Sequence, residues 1–290
     1  MPKAKVGVIG GTGLYDIDGL TDIEEVKIET PFGKPSDAIT LGRLEGVGIA
    51  FLPRHGKGHR ISPTEIPVRA NIYALKSLGV EYIIAVCSAG SFKPEIKPSD
   101  LVIPDQLIDR TRTRANSFFG GGIVAHISFA EPFCPVLSQI LYHAAGEVGA
   151  NVHPRGTYVT VEGPAFSTRA ESQLYRSWGA DIIGMTALPE ARLAREVEIC
   201  YAIIACVSDY DCWHKQKQPV TINVVQDVLR QSIDTAKKII RLAVTRLPEK
   251  RNCDCATALK TAIITDPQLI PAAQKKRLDL LIGRYLGGDR

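Results

Sequence analysis

A chain of 290 residues with 45% hydrophobic and 23% charged side chains can form one large domain or two modest ones, with a core that needs no cross-links. Its 35 basic and 31 acidic residues leave a net charge of +4, and Lys and Arg are scattered rather than gathered into the patch of a nucleic-acid-binding domain. The N-terminal MPKAKVGVIGG lacks a signal-peptide pattern and no apolar run approaches a membrane span, so the expected class is a soluble cytoplasmic enzyme.

In chain order, short β-branched runs predict strands at residues 5–9, 48–52, 82–86, 156–161, 181–184 and 199–207. The last, ICYAIIACV, is nearly all apolar, as expected for a strand covered on both faces. Between them, Ser62-Pro63-Thr64-Glu65 reads as a capping box with Pro at the first helical position, followed at helical spacing by Ile66, Ala70, Tyr73, Ala74 and Leu78. Thr168 and Glu171 open a further helix, and 220–247 predicts a long one with an apolar stripe through Val224, Val228 and Ile239. Strands alternating with helices indicate an α/β layer fold over residues 1–247. After Pro248 the sequence turns polar and irregular. Residues 248–290, with two small helices expected near the end, read as an appendage of the same globule.

Five motifs carry possible chemistry. In VGVIGGTGLYD a strand runs into glycines whose amides can approach an anion, with Thr12 adding a hydroxyl. A dinucleotide fingerprint would need a third Gly where Asp16 stands, and no Gly-Lys-Ser/Thr follows, so the segment fits an anion loop or a plain tight turn. Arg54-His55 after the second strand offers a guanidinium fork and an imidazole suited to phosphate, although such a pair is often merely solvated. His59 is separated by two glycines and makes no helical metal pair. Cys87-Ser88 sits where the third strand ends in small residues. No His-Asn/Asp signature makes Cys87 a nucleophile, and the turn's amides can hold phosphate. Thr186, before Pro189-Glu190, can cap a helix or place a hydroxyl at an anion. Asp209 and Asp211, spaced i, i+2 at the end of the buried strand, can point the same way; such a pair is often merely solvated, but in a dry site a carboxyl's pKa rises and a second one nearby raises it further.

All five follow the C-terminal ends of predicted strands, the edge where open α/β sheets bind ligands. One crevice would then hold anion donors beside a pair of acids, which fits phosphate attacking at one end while a base is protonated at the other. Elsewhere, Cys253 and Cys255 have neither CxxC pairs nor matching His spacing. They read as free thiols, with a local or inter-element disulfide as the alternative, and no zinc site is expected.

At these residues the chain closely resembles the methylthioadenosine phosphorylases of the purine nucleoside phosphorylase superfamily. The matching landmarks are GGTGLYD, TPFGKPSDA, PRHGKGHRISP, DQLIDRTRTR, AEPFCP, VTVEGPAFSTRAES, WGADIIGMT and SDYDCW, in order over roughly residues 5 to 245. The resemblance implies a central mixed sheet flanked by helices, a trimeric or hexameric homo-oligomer, and no metal or organic cofactor. Its expected activity converts 5′-methylthioadenosine and phosphate to adenine and 5-methylthioribose 1-phosphate, in purine and methionine salvage. Carried over by motif, Thr12, Arg54, His55 and Thr186 bind phosphate, with Cys87 and Ser88 at the same wall. Met185 lies against the ribose, Phe166 and Ser167 line the purine pocket, and His126 reaches the 5′ end of a neighbouring subunit's substrate. Asp209 and Asp211 match the adenine-reading acids. The chain departs from the commonest animal form at CSAGS, where that form has TACGS, but backbone amides can serve equally there. The rival readings are the same chemistry on a 6-oxopurine such as methylthioinosine or inosine, a nucleotide-binding regulatory module without turnover, and a phosphate-independent hydrolase.

Overall fold

Alternation along two long strands sets the architecture. The structure, a computed structural model, describes residues 3–11, 14, 17–214 and 222–286, the side chains of 222–231 excepted. It contains strands β1 (Val6–Gly10), β2 (Thr21–Val26), β3 (Ile39–Leu44), β4 (Val47–Pro53), β5 (Tyr82–Ser91), β6 (Leu101–Val102), β7 (Gln106–Arg110), β8 (Val152–His153), β9 (Thr157–Val161), β10 (Ile182–Gly184) and β11 (Cys200–Asp209). The main helices are α1 (Val68–Ser77), α2 (Pro135–Glu147), α3 (Arg169–Ser177), α4 (Ala187–Glu196) and α5 (Ile222–Val244).

The strands form one mixed sheet, in the order β2-β3-β4-β1-β5-β10-β9-β7, with β11, β6 and β8 branching from β5. In β5 and β11, Ile83, Ala85, Ala89, Ile203, Ala205 and Val207 face a core shared with α1 and α4. Their neighbours Tyr82, Ile84, Val86, Ala202, Ile204 and Cys206 face a second core shared with α2 and α5. A strand covered on both faces has no polar side to spend on water, which is why its sequence reads as an unbroken apolar run.

All six expected strands are present. The unforeseen ones lie mostly at the margins: β2 and β7 end the path, and TDIEEV of β2 is almost wholly exposed. Edge strands need no apolar face, and the two-residue β6 and β8 are too short to leave a pattern.

One local expectation needs correction. Ser62 does bond Glu65, through its amide at 3.2 Å and its hydroxyl at 2.6 Å, but this closes an isolated turn, and α1 begins only at Val68. Pro67 has no N–H and biases Ile66 away from helical geometry, so the helix starts after it. The capping box at Thr168 and Glu171 forms as expected, with both reciprocal bonds. In α5, Ile239 is buried; the side chains of Val224 and Val228 lie outside the described residues.

The segment after Pro248 carries two short helices, α6 (Ala272–Arg277) and α7 (Asp279–Ile282). Its Leu259, Ala262, Ile270, Leu278, Leu281 and Ile282 join the core on the α1/α4 side, whereas Cys255 joins the core on the other side. The extension therefore wraps a margin of the sheet. Buried Glu198 fastens it, accepting from the amide of Leu259 and the hydroxyl of Tyr285 and pairing with Arg284. Among the described residues no helix is long and apolar enough to cross a membrane.

Candidate active site

Strands β4, β1, β5 and β11 run parallel, so their C-terminal ends converge on one edge of the sheet. There a cavity of about 760 Å³ is lined by residues from all five motifs, including Gly11, Arg54, His55, Cys87, Ser88, Thr186, Asp209 and Asp211. Thr12 lies outside the described residues.

The route to this edge differs from expectation at two motifs. Cys87 and Ser88 do not follow a strand end, because β5 continues to Ser91. Residues 182–183 of β10 pair antiparallel with Ser91 and Gly90, so Met185 and Thr186 enter from the opposite direction.

Arg54 is 2% exposed and is not a solvated loop residue. Its Nε donates to Glu190 Oε1 at 2.5 Å and its Nη2 to Glu190 Oε2 at 3.1 Å, while Nη1 donates to the carbonyl of Val86 at 2.9 Å. Burial alone would lower the guanidinium's pKa, but the adjacent Glu190 carboxylate more than reverses this, and the charge is retained. Tyr201 donates to the same carboxylate at 2.9 Å. Arginine at the cavity wall is thus held as a fixed cation rather than a mobile one.

His55 Nδ1 lies 2.8 Å from the carbonyl of Ile61. A carbonyl only accepts, so Nδ1 carries hydrogen and Nε2 presents a lone pair. Burial, then repulsion from Arg54, lowers this imidazole to about 4, so it is neutral at physiological pH. The imidazole expected from sequence to suit phosphate therefore presents its free nitrogen as an acceptor, not as a donor or a source of a proton. Burial pushes the Cys87 thiol up, consistent with no nucleophilic role, and its sulfur lies 3.7 Å from the Tyr158 hydroxyl. Thr186 is the N-terminal flanking residue of α4 but makes no side-chain cap bond to that helix.

Asp209 ends β11, and Asp211 follows in a turn with φ of 49°. The two carboxylates reach one cavity through this turn and a register shift between Val207 and Asp209, not through simple strand alternation. The amide of Asp211 donates to Asp209 Oδ1 at 2.7 Å and Ser208 Oγ donates to Oδ2 at 2.6 Å. Burial nevertheless raises both carboxyl groups above the usual aspartate range. The turn is pinned by the Trp213 indole, which donates to the carbonyl of Ser91 at 2.7 Å. Gly90 makes room: a Cβ there would sit 3.0 Å from Asp209 Oδ1 and 3.4 Å from Asp211 Cβ.

Met185, Phe166 and Ser167 line the same cavity, Phe166 at the mouth with 47% exposure. Arg114 positions Met185, donating from Nη1 to the carbonyls of Met185 and Leu188 at 2.5 and 2.7 Å, and from Nη2 to that of Glu162 at 2.5 Å. Gly163, at φ of 67°, leaves space for the Met185 sulfur, which would lie 2.5 Å from any Cβ. His126 is exposed and does not line the cavity of its own chain. Glu190, Tyr201, Tyr158 and Arg114 were not singled out from sequence. Glu190 and Arg114 carry no role in the sequence analysis, and only the burial of their side chains reveals their work. For metal, the described residues offer one cluster, four cysteines at the other end of β11.

One cavity at the C-terminal edge of the parallel strands thus gathers a buried arginine, a neutral histidine and two half-buried aspartates, and the phosphorylase superfamily model matches residues 5–245. The chain belongs to the phosphorylase superfamily and, within it, to the S-methyl-5′-thioadenosine phosphorylase family. It is 58% identical to the S-methyl-5′-thioadenosine phosphorylase of Geobacter sulfurreducens, over 97% of this chain and 99% of that one. Among solved structures, a methylthioadenosine phosphorylase from an antarctic soil metagenomic library superposes with a TM-score of 0.91 at 48% identity, covering 97% of this chain and 99% of the other. A substituted adenosine/methylthioadenosine phosphorylase of Schistosoma mansoni in complex with methylthioadenosine gives a TM-score of 0.83 at 38% identity, covering 89% of this chain and 96% of that one.

Proposed function

We propose that the chain cleaves S-methyl-5′-thioadenosine with inorganic phosphate to adenine and S-methyl-5-thioribose 1-phosphate, serving purine and methionine salvage in the cytoplasm. The observation that carries this reading is the cavity itself, which a buried, charge-retaining arginine and a neutral histidine share with two aspartates raised by burial. Phosphate is a co-substrate; the bond cleavage uses neither metal nor organic cofactor.

Arg54, whose Nη1 has a second hydrogen beyond its bond to Val86, attracts the phosphate together with the hydroxyls of Ser88 and Thr186, along the wall that includes Cys87. His55 Nε2 accepts the hydrogen of a monohydrogen phosphate, orienting it. A phosphate oxygen then bonds to the anomeric carbon as the C–N bond to the purine breaks, and the anion stabilises the oxocarbenium-like charge in between. The bond's electrons pass to the purine, and Asp209, protonated in the complex, donates towards N7. Asp211 accepts from the exocyclic amine. Met185 lies against the ribose, with Phe166 and Ser167 at the purine.

The working form is a homo-oligomer, trimer or hexamer, in which His126 reaches the 5′ end of a neighbouring subunit's substrate. Support comes from the exposed strip around it: His126 bonds Ala262 through its amide, and beside it Val124 and Ile264 are 44% and 64% exposed. Such apolar exposure suits a contact surface.

Adenine offers amine hydrogens to carboxylates, whereas a 6-oxopurine presents a carbonyl that a carboxylate repels. Methylthioadenosine should therefore exceed methylthioinosine in kcat/KM by on the order of 10²-fold or more, since a site built to accept N–H bonds rejects the analogue lacking them. Equal values from matched assays would move the assignment to the 6-oxopurine enzyme.

A further inference from the structure

Four cysteines that are remote in sequence meet at the end of β11 opposite the cavity. Cys134 precedes α2, Cys200 opens β11, and Cys253 and Cys255 belong to the extension. Their sulfurs all lie within 4.8 Å of one another. Cys253 Sγ is 3.3 Å from Cys200 Sγ and 3.7 Å from Cys134 Sγ. Neither spacing nor a CxxC motif announces this group, because its members come from three separate segments.

We propose that Cys134, Cys200, Cys253 and Cys255 form a tetrathiolate site for a zinc-class divalent cation, which fastens the C-terminal extension to the sheet. Zinc–sulfur bonds of about 2.3 Å in a tetrahedron put sulfurs about 3.8 Å apart, close to the spacing seen here. Disulfides need pairs at about 2.05 Å, each sulfur committed to one neighbour. Cys253 instead stands near two sulfurs at once, as a corner shared around one centre does. Ordering the four costs little, since they are already held. The amide of Cys134 donates to the carbonyl of Tyr201 at 2.9 Å, and Cys200 lies within the β5–β11 ladder.

The surroundings suit thiolates. The partial positive charge at the start of α2, next to Cys134, favours an anion. Binding converts four thiols to thiolates with release of four protons to solvent, leaving a tetrathiolate–metal centre of net charge −2 and no change of oxidation state. The other three of the seven cysteines, Cys87, Cys206 and Cys212, lie outside the cluster. The site's work is structural. It stands at the far end of the ten-residue strand that carries Asp209, so it takes no part in bond cleavage.

The test uses the full chain, purified under reductant from zinc-supplemented medium, then stripped and reloaded with cobalt(II). We expect about one zinc per chain by elemental analysis. The cobalt form should show thiolate-to-metal charge-transfer absorption and the ligand-field bands of tetrahedral cobalt. Cys253→Ser should reduce occupancy and lower Tm by several degrees, with turnover at moderate temperature retained. If that variant fails to fold, the cobalt spectrum of the unsubstituted chain decides alone. Metal below about one per ten reduced, metal-loaded chains, without charge-transfer absorption, would overturn the site. So would mass spectrometry that finds these four residues in disulfides after purification under reductant.

Discussion

Asp209→Asn is expected to cut turnover on methylthioadenosine by roughly 10²-fold or more, because it removes the proton that the leaving purine takes. The same substitution should make the free protein more stable at neutral pH. Burial raises the Asp209 carboxyl above its ordinary range, so the folded chain keeps its proton at pH values where the unfolded chain has lost it. Stability from this group is full below the unfolded pKa of 3.8 and is lost as pH rises through the folded one. At neutral pH an ionised Asp209 is therefore a net cost that asparagine lacks, a gain partly offset because the single amide oxygen can accept from only one of Ser208 Oγ and the Asp211 amide. Steady-state rates and urea midpoints across pH measure both effects. Undiminished turnover would remove Asp209 from the acid role, and a variant less stable than its parent would show that burial does not dominate there.

Glu190→Gln should destabilise the fold by about 3–5 kcal/mol, the usual cost of leaving one member of a buried ion pair without the other. The pair is 2% and 1% exposed, and bidentate. Glutamine keeps the shape but supplies one acceptor where Arg54 and Tyr201 together use two oxygens. Phosphate KM should rise as well, because an Arg54 freed from its clamp is no longer fixed at the cavity wall. A urea midpoint within experimental error of the parent's, with phosphate KM unchanged, would contradict this role for Glu190.

Sequence legibility followed burial. β5 and β11 are covered on both faces, and their apolar runs were plain; β2, at the sheet's edge, carries charges and left no strand signal. Arg54, His55, Thr186, Asp209 and Asp211 could be picked out because each stands beside a strand end or in a motif of the resemblance, and the structure brings them to one cavity. Three things could not be read. The partner of a buried charge is set by tertiary packing, so Glu190 looked like any acid in the first turn of a helix. Backbone reversals also escape pattern reading: the antiparallel approach of β10 and the left-handed Asp211 both depend on where the chain turns, which side-chain periodicity does not encode. The cysteine cluster is a third instance, assembled from segments whose spacing carries no motif.

Incubation of the purified chain with S-methyl-5′-thioadenosine, with and without inorganic phosphate, followed by identification of the products, tests the central claim most directly. Phosphorolysis predicts adenine and S-methyl-5-thioribose 1-phosphate in equal amounts, and no cleavage when phosphate is withheld. Adenine released at the same rate without phosphate, together with free methylthioribose, would contradict it and make the enzyme a hydrolase.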